Sequence, residues 1–317
     1  MIQTDSKSLS SLPSLFLSWK AEFFSAAGNM GCYASKNADS KASRVARWRA
    51  TGIVALRDSK LKTFPDEVLD MDRSVRTLDL TNNRIVDIPM EVCKLINMQR
   101  LVLADNLIER LPMNLGKLQS LRVMILDGNH ITTLPDELGQ LVRLERLSVS
   151  RNLLSSLPET IGSLRNLLLI DVSNNKLKSL PESIGSCFSL EELQANDNLM
   201  EDLPSSLCNL IHLKSLRLDN NNIGQLPSNL LKDCKALQNA SLHGNPILMD
   251  QFQQMEGFED FEARRKKKFD KQIDSNTKYL WRRWFAYLLV GCCKLKGVRI
   301  LIWYGKKLVQ SFANKNV

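Results

Sequence analysis

The stretch that decides the fold is Leu101-Val102-Leu103-Ala104-Asp105-Asn106-Leu107-Ile108-Glu109-Arg110-Leu111-Pro112, whose pattern LxLxxNxIxxLP returns along most of the 317-residue chain. Its asparagine recurs in steps of 23 residues, with a last step of 24, at Asn83, Asn106, Asn129, Asn152, Asn175, Asn198, Asn221 and Asn245. A single repeat of this length has no neighbour against which to bury its leucines. The regular period therefore predicts a solenoid of stacked repeats.

Each position in the repeat has a predicted structural role. The alternation around Met124 and Leu126 predicts a short strand with these side chains inward, so successive repeats build a parallel sheet on a concave face. Asn129 is predicted to turn the chain and bond the backbone of neighbouring repeats, forming a ladder, because an apolar residue there would leave buried backbone groups unpaired. The segment that starts at Pro135 is too short for a long helix and predicts 3₁₀ or extended turns on the convex face. The predicted fold is an α/β solenoid of about nine repeats.

The repeats are predicted to occupy residues 51–249, with distinct structures at both ends. Ser59 replaces the ladder asparagine in the first repeat, as expected where a terminal repeat meets water. After the last repeat, apolar residues spaced for one face of a helix follow at Phe252, Met255, Phe258 and Phe261. We interpret residues 250–274 as a capping helix with a basic end at Arg264 to Lys268. A partner-binding helix is the alternative.

The net charge of +9 is unevenly distributed. Residues 50–263 contain 21 basic and 29 acidic side chains, so the repeat body is acidic. Residues 31–49 contain five basic residues and one acidic residue, and the chain after Asp274 contains nine basic residues and no acidic one. This distribution predicts that residues 31–49 and 264–310 contact an anionic membrane surface, and it argues against a basic binding groove in the body. No nucleic-acid partner is expected.

The two flanks lie outside the repeats. Residues 1–29 are serine-rich and make a poor secretory signal, so we expect a disordered extension. A transit-type leader and a gene model that starts too early are the alternatives. Residues 275–317 form a basic aromatic tail whose longest uncharged run, ten residues from Trp284 to Cys293, falls short of the roughly 20 needed to span a bilayer. The tail is interpreted as an interfacial segment or as a variant reading frame from alternative splicing.

Met30-Gly31-Cys32-Tyr33-Ala34-Ser35 matches the N-myristoylation pattern M-G-x-x-x-[ST] if Met30 is the initiator. Gly31 would then carry the myristoyl group, and Cys32 is placed for palmitoylation. One myristoyl chain binds membranes only marginally, so the second acyl chain or the basic arm over residues 30–50 would be needed for stable anchoring. A chance match at an internal methionine is the alternative, and initiation at Met1 would leave the signal silent.

The sequence does not predict an enzyme. It contains no nucleophile motif around its three histidines and no phosphate-binding glycine loop. The seven cysteines include no CxxC pair and no cluster that brackets the repeats, which favours a reducing, cytoplasmic location over a disulfide-bonded one. We therefore expect no catalytic residue, no metal and no cofactor.

A protein partner is predicted to bind the concave face. Strand positions beside the inward leucines point outward, and most are polar. Four exceptions are grouped in the third to sixth repeats, at Val102, Val123, Ile125 and Leu169, and a predicted rim surrounds them at Arg100, Arg146, Asp127 and Asp171. Grouped exposed apolar residues suggest an interaction hot spot. The alternative is that β-branched residues merely suit strands. Within the opening stretch, Val102 and Ala104 are the positions expected to contact a partner.

The repeat LxxLxLxxNxIxxLPxxLGxL resembles that of the intracellular Ras-group leucine-rich repeat family. The likeness covers about residues 30–271 and includes Gly31 with its basic arm, Thr51-Gly52-Ile53-Val54, Phe64-Pro65 and Glu256-Gly257-Phe258. The chain lacks the Gly-Val-Tyr-Trp motif that the plant branch often carries. The resemblance implies a curved horseshoe and a scaffold or adaptor function with a small GTPase or phosphatase partner. A regulatory or targeting subunit of an enzyme complex, docked through the tail, is the alternative.

Overall fold

Nine short parallel strands form one sheet in the computed structural model, which describes residues 41–271 and 273–274. Every strand pairs with the next one in the sequence. Residues at equivalent positions of consecutive repeats face each other, as Arg100 and Val123 do. The strands are β1 (Ile53–Ala55), β2 (Thr77–Asp79), β3 (Arg100–Val102), β4 (Val123–Ile125), β5 (Arg146–Ser148), β6 (Leu169–Asp171), β7 (Glu192–Gln194), β8 (Ser215–Arg217) and β9 (Asn239–Ser241). The predicted solenoid of about nine repeats is confirmed.

Short helices connect the strands on the side of the buried leucines. Each central one follows a proline in extended conformation, as at Pro135 with φ −71°, and buries its leucine or isoleucine, as at Leu138. The 3₁₀ helices span Asp72–Ser74, Met90–Lys94, Met113–Lys117, Asp136–Gln140, Glu159–Ser163, Glu182–Ser186 and Ser205–Asn209. Four-residue α-helices occupy Asp66–Leu69 and Leu230–Asp233. The predicted 3₁₀ turns are thus confirmed.

The asparagines after the strands connect consecutive repeats through their buried amides. Asn129 is 4% exposed. Its Nδ2 donates to the Leu103 carbonyl at 2.9 Å and to the Leu126 carbonyl at 2.8 Å, while its Oδ1 accepts from the Ile108 amide at 3.0 Å. The other ladder asparagines make equivalent bonds, which satisfy backbone groups that the short strands leave unpaired.

The residue before each ladder asparagine adopts a left-handed conformation, which the repeat pattern did not identify. Asp105, Arg151 and Asn174 have φ values of 54°, 54° and 56°. Asparagine, aspartate and glycine tolerate this conformation best, and they fill most of these positions. Arg151 is the exception, and its guanidinium Nη2 donates to Asp105 Oδ1 at 3.1 Å. The side chains at this turn therefore support one another across two repeats.

The ends of the sheet differ from the sequence-based interpretation. A helix spans Lys41–Thr51. Trp48, assigned to the basic arm, is buried at 4% exposure and belongs to the core. The single capping helix predicted over residues 250–274 is two helices, Met249–Gln253 and one over residues 258–271. Gly257 separates them with φ +87°, where an added Cβ would lie 2.8 Å from the Lys232 nitrogen.

The C-terminal helices cover the last repeat with three aromatic rings and one arginine. The Phe252 ring meets those of Phe258 and Phe261 edge-on, with centroids 5.7 and 5.9 Å apart. Arg264 Nε donates to the Leu237 carbonyl at 3.0 Å, and Nη2 donates to the Leu231 carbonyl at 3.3 Å. Arg264, predicted to belong to a lipid-contacting basic run, is therefore bonded to the solenoid. Lys266, Lys267 and Lys268 remain exposed.

Candidate partner-binding surface

Seven of the eight predicted partner-binding residues lie in two adjacent rows on the open face of the sheet, opposite the buried leucines, and the eighth, Asp127, follows the end of β4. One row crosses β3 to β6, with the register order Arg100, Val123, Arg146 and Leu169. The second row has the order Val102, Ile125, Ser148 and Asp171. Neighbouring strands are about 4.8 Å apart, so the structure brings these side chains together although up to 71 positions separate them in sequence.

The apolar part of this surface is smaller than predicted. Val123, Ile125 and Leu169 are half-buried, so each leaves part of its side chain accessible. Val102 and Ala104, predicted to contact a partner, are buried at 6% and 9% exposure. The expectation that these two side chains are accessible to a partner is therefore corrected. We call Arg100, Val123, Ile125, Arg146 and Leu169 the open-face strip.

Both predicted rim aspartates are bonded within the chain. Asp127 Oδ1 accepts from Ser148 Oγ at 2.6 Å and from the Ser150 amide at 2.9 Å. Asp171 is 9% exposed and accepts from the Ser173 amide at 3.1 Å. Their carboxylates therefore satisfy polar groups at the ends of the strands. The prediction of an accessible acidic rim is corrected for Asp171, which is buried, whereas Asp127 is half-buried and its place in the rim stays a prediction.

The two rim arginines have a different environment. Arg146 is exposed, and Arg100 is half-buried. Burial lowers the pKa of Arg100, the charge of Asp79 raises it, and the charges of Arg146 and Arg57 lower it further. These arginines therefore lie close enough to repel one another. Asp79 itself is 4% exposed and accepts from Arg57 Nε at 2.8 Å, so its carboxylate already has a cationic partner.

The sequence analysis missed a polar network at the carboxyl ends of the strands. Asp79 accepts from Thr81 Oγ1 at 2.6 Å, and Asp219 accepts from Ser241 Oγ at 2.7 Å and from the His243 amide at 2.8 Å. For Asp79 the available signal was Asp-x-Ser/Thr, as in Asp79-Leu80-Thr81, in which the carboxylate accepts from groups two residues later. The partners of Asp219 lie in the next repeat, so no local motif indicated them. This network fixes the polar border of the open face.

The cysteines of the described region lack the features of reactive thiols. Cys93, Cys187, Cys208 and Cys234 are all free. Burial raises the pKa of Cys187 to about 12, and burial together with nearby acidic groups raises that of Cys234 to about 12. Neutral thiols are poor nucleophiles and poor metal ligands. Within residues 41–271 and 273–274, no group of three His, Cys, Asp or Glu side chains is arranged to hold a metal ion.

Several residues that were predicted to contact a membrane lie outside the part of the chain that the structure describes. They are Gly31, Cys32 and the tail over residues 275–317. Of the helices that the structure does describe, none has the length and apolar character needed to cross a membrane.

The parallel sheet, the asparagine ladder and the 3₁₀ turns define a leucine-rich repeat protein. Family models agree: a leucine-rich repeat region matches residues 112–204, and leucine-rich repeats match residues 73–131 and 212–234. The chain belongs to the plant intracellular Ras-group-related leucine-rich repeat family. It is 79% identical over 248 residues to Plant intracellular Ras-group-related LRR protein 7 of Oryza sativa subsp. japonica, covering 78% of this chain and 95% of that relative. The missing Gly-Val-Tyr-Trp motif does not exclude it from the plant branch.

Solved structures share the fold. A leucine-rich repeat protein of Leptospira interrogans has a TM-score of 0.60 and 31% identity, over 63% of this chain and 51% of that one. The plant peptide hormone receptor RGFR1, solved in complex with RGF2, has a TM-score of 0.54 and 30% identity, over 58% of this chain and 30% of that one. The chain thus spans about half or less of these two structures. Folds of this class are typically interaction modules.

Proposed function

We propose that this protein is a non-enzymatic adaptor of intracellular signalling that binds a partner protein on the open face of its sheet. The observation that carries the proposal is the open-face strip, where half-buried Val123 and Leu169 alternate in register with Arg100 and Arg146. Half-buried Ile125 lies beside them in the adjacent row. Apolar side chains beside arginines are the composition of protein interface centres. Rigid parallel strands hold these side chains in place before binding, which reduces the entropy lost on association.

Family membership supports the class of partner that we propose. The relative's name places it in the Ras group, and the neighbour RGFR1 was solved in complex with RGF2, the ligand of this peptide hormone receptor. These likenesses support a protein or peptide partner for this chain, and a small GTPase or a phosphatase is the class we propose. A cytoplasmic location is consistent with the relative's description as intracellular.

The test is a quantitative pull-down from plant extract with the full chain as bait. The double substitution Val123→Arg and Ile125→Arg places two charges in the strip, and it should remove partners recovered with the unchanged protein. Val142→Arg is the matched control because Val142 is an exposed valine outside the sheet, 48% accessible. It should leave recovery unchanged. Equal recovery with both variants would show that the strip does not bind the partner.

We also propose that the adaptor is held at the cytoplasmic face of a membrane when translation starts at Met30. Acylation of Gly31 and Cys32 would supply the anchor, and the basic residues of 31–49 and 264–310 would contact anionic lipid. Mass spectrometry of the native N-terminus tests this directly: myristoylated Gly31 is expected. Gly31→Ala should move the protein from the membrane fraction to the supernatant, whereas Gly224→Ala, where an added Cβ meets nothing within 4 Å, should have no effect. An intact Met1 terminus would remove the anchoring step.

A second candidate is a regulatory or targeting subunit of a phosphatase, GTPase or ligase complex, docked through the tail. The observation that favours it is the composition after Asp274, where aromatic residues accompany nine basic residues and no acidic one. Co-purification of the full chain and of a chain ending at Asp274 separates the candidates. A catalytic subunit retained only by the full chain favours this second function, and partners retained equally by both favour the adaptor.

A further inference from the structure

The open-face strip contains two arginines with no carboxylate partner in the described part of the chain. Arg57 is bonded to Asp79, but Arg100 and Arg146 form no ion pair with any described residue. Asp79 is close enough for its charge to act on Arg100, but it forms its ion pair with Arg57. Arg100 and Arg146 thus place two cations without a salt bridge beside the half-buried Val123.

Three nearby carboxylates accept hydrogen bonds from groups other than Arg100 and Arg146. Asp127 and Asp171 accept from serine groups at the strand ends. Glu145, beside Arg146 in sequence, accepts from Arg122 Nη1 at 2.6 Å. The folded chain thus leaves both guanidinium groups available to an anion from outside.

The environment of Arg100 makes such an anion favourable. Its side chain is half-buried, and burial lowers its pKa, which means that loss of water disfavours the charged form. Arginine nevertheless stays protonated, and the charge of Arg146 adds repulsion. A carboxylate bound at this point would replace the lost hydration with charge-assisted hydrogen bonds.

The register defines the shape of the ligand. Arg100 and Arg146 lie on β3 and β5, with Val123 of β4 between them, so their backbones are about 9–10 Å apart and both long side chains can reach one group. Ile125 lies on the same strand as Val123, and Leu169 follows on β6. Glu192 follows Leu169 on β7 and would repel an acidic group there. The acidic end of a ligand is therefore directed towards β3–β5.

Building on the proposed adaptor function, we propose that the strip binds a peptide segment whose single carboxylate contacts Arg100 and Arg146 and whose adjacent apolar side chain covers Val123, Ile125 and Leu169. The carboxylate belongs to an internal aspartate or glutamate of the segment, and binding that requires a free C-terminal carboxylate is the outcome that would contradict this assignment. The side-chain carboxylate presents a planar acceptor, which suits the donor geometry of arginine.

The experiment is affinity selection of synthetic peptides on the full chain. Two random libraries of about ten residues, long enough in extended form to cross β3 to β7, differ only in a free or an amidated C-terminus. Enrichment of acidic residues next to apolar ones in the amidated library supports an internal carboxylate, and enrichment only in the free library supports a terminal one and contradicts the assignment. Selected peptides without a carboxylate, or no selected peptides, would overturn the proposal.

Two pairs of variants distinguish a specific contact by Arg100 and Arg146 from a general effect of positive charge. Arg100→Gln with Arg146→Gln should weaken the selected peptides by about 10- to 100-fold, the effect of losing charged hydrogen bonds. Arg143→Gln with Arg165→Gln removes the same charge from exposed turns and should weaken them by less than about threefold. Equal weakening by both pairs would reduce the effect to general electrostatics and overturn the proposal.

The proposed function can fail separately from this inference. If Val123→Arg with Ile125→Arg abolishes peptide binding while the Arg100 and Arg146 variant binds normally, the strip binds a partner without the carboxylate contact. If neither variant changes binding, the peptides bind elsewhere, and both the inference and the proposed surface are wrong. Circular dichroism of each variant verifies the fold, which surface changes on the open face should preserve.

Discussion

Replacing one ladder asparagine in the middle of the sheet, Asn129→Ala, should destabilise the protein far more than the loss of so few side-chain atoms suggests. The amide joins two repeats, because its Nδ2 donates to the carbonyls of Leu103 and Leu126 and its Oδ1 accepts from the Ile108 amide. Asn129 is 4% exposed, so water has little access to these groups. The substitution leaves the buried Ile108 amide without an acceptor. It also removes one of two bonds from each carbonyl, because Asn106 Nδ2 still donates to Leu103 and Asn152 Nδ2 still donates to Leu126.

The expected magnitude follows from one unpaired amide and two lost hydrogen bonds. The unpaired amide costs about 1–3 kcal/mol and each lost bond about 0.5–1.5 kcal/mol, and partial entry of water into the vacated space reduces the sum, so we expect a loss of about 2–4 kcal/mol in the free energy of unfolding. Asn245→Ala removes an equivalent set of bonds in the last repeat, where the side chain is only half-buried. Water can replace more of those bonds, and the expected loss is about 1–2 kcal/mol. Asn222→Ala is the control: its side chain is exposed and makes no hydrogen bond in the described region, so the change should stay within about 0.5 kcal/mol.

The assay is equilibrium unfolding in urea, followed by circular dichroism and by hydrogen exchange. Two probes are needed because repeat arrays can lose cooperativity when one interface weakens. Exchange should accelerate most at the amide of Ile108, which loses its acceptor. If Asn129→Ala unfolds at the same urea concentration as Asn222→Ala, the ladder contributes no stability. If Asn129→Ala and Asn245→Ala lose equal stability, burial is not the reason for the effect.

Three further predictions concern packing, a thiol and the C-terminal cap. Gly139→Ala would place a Cβ 2.5 Å from a carbonyl oxygen of the next repeat and should cost about 1–3 kcal/mol in urea unfolding, whereas Gly224→Ala meets nothing within 4 Å and should be neutral or slightly stabilising. Cys187, whose pKa burial raises to about 12, should resist iodoacetamide at pH 9 in the folded protein and react on denaturation, as mass spectrometry would detect; equal rates in both states would contradict this. Arg264→Ala should speed hydrogen exchange over residues 237–242 and leave the first repeats unchanged; uniform acceleration would show that the cap acts on the whole array.

Much of the fold could be predicted from the sequence because every repeat has the same pattern of leucines and asparagine. The alternation at Leu101 and Leu103 determines which side chains face the core, and the period determines the register, since each strand pairs with the strand one repeat later. The bonding role of Asn106 was predictable for the same reason: a short strand followed by a turn leaves backbone groups that only a buried amide in that position can reach. The 3₁₀ turns followed from the short spacing after each proline.

The site depended on contacts that the repeat pattern does not encode. Val102 and Val123 occupy the same face with similar side chains, yet Val102 is buried and Val123 is half-buried, because exposure on the open face is set by the side chains of neighbouring strands. The sequence also could not show that Asp127 bonds to Ser148 of the next repeat while Arg100 and Arg146 form no salt bridge with a described residue. The sequence alone determined the repeat, its inward positions and its ladder. Only the tertiary structure decided which outward polar side chains are bonded across repeats, because partners such as Ser148 of Asp127 and Arg57 of Asp79 lie a full repeat away.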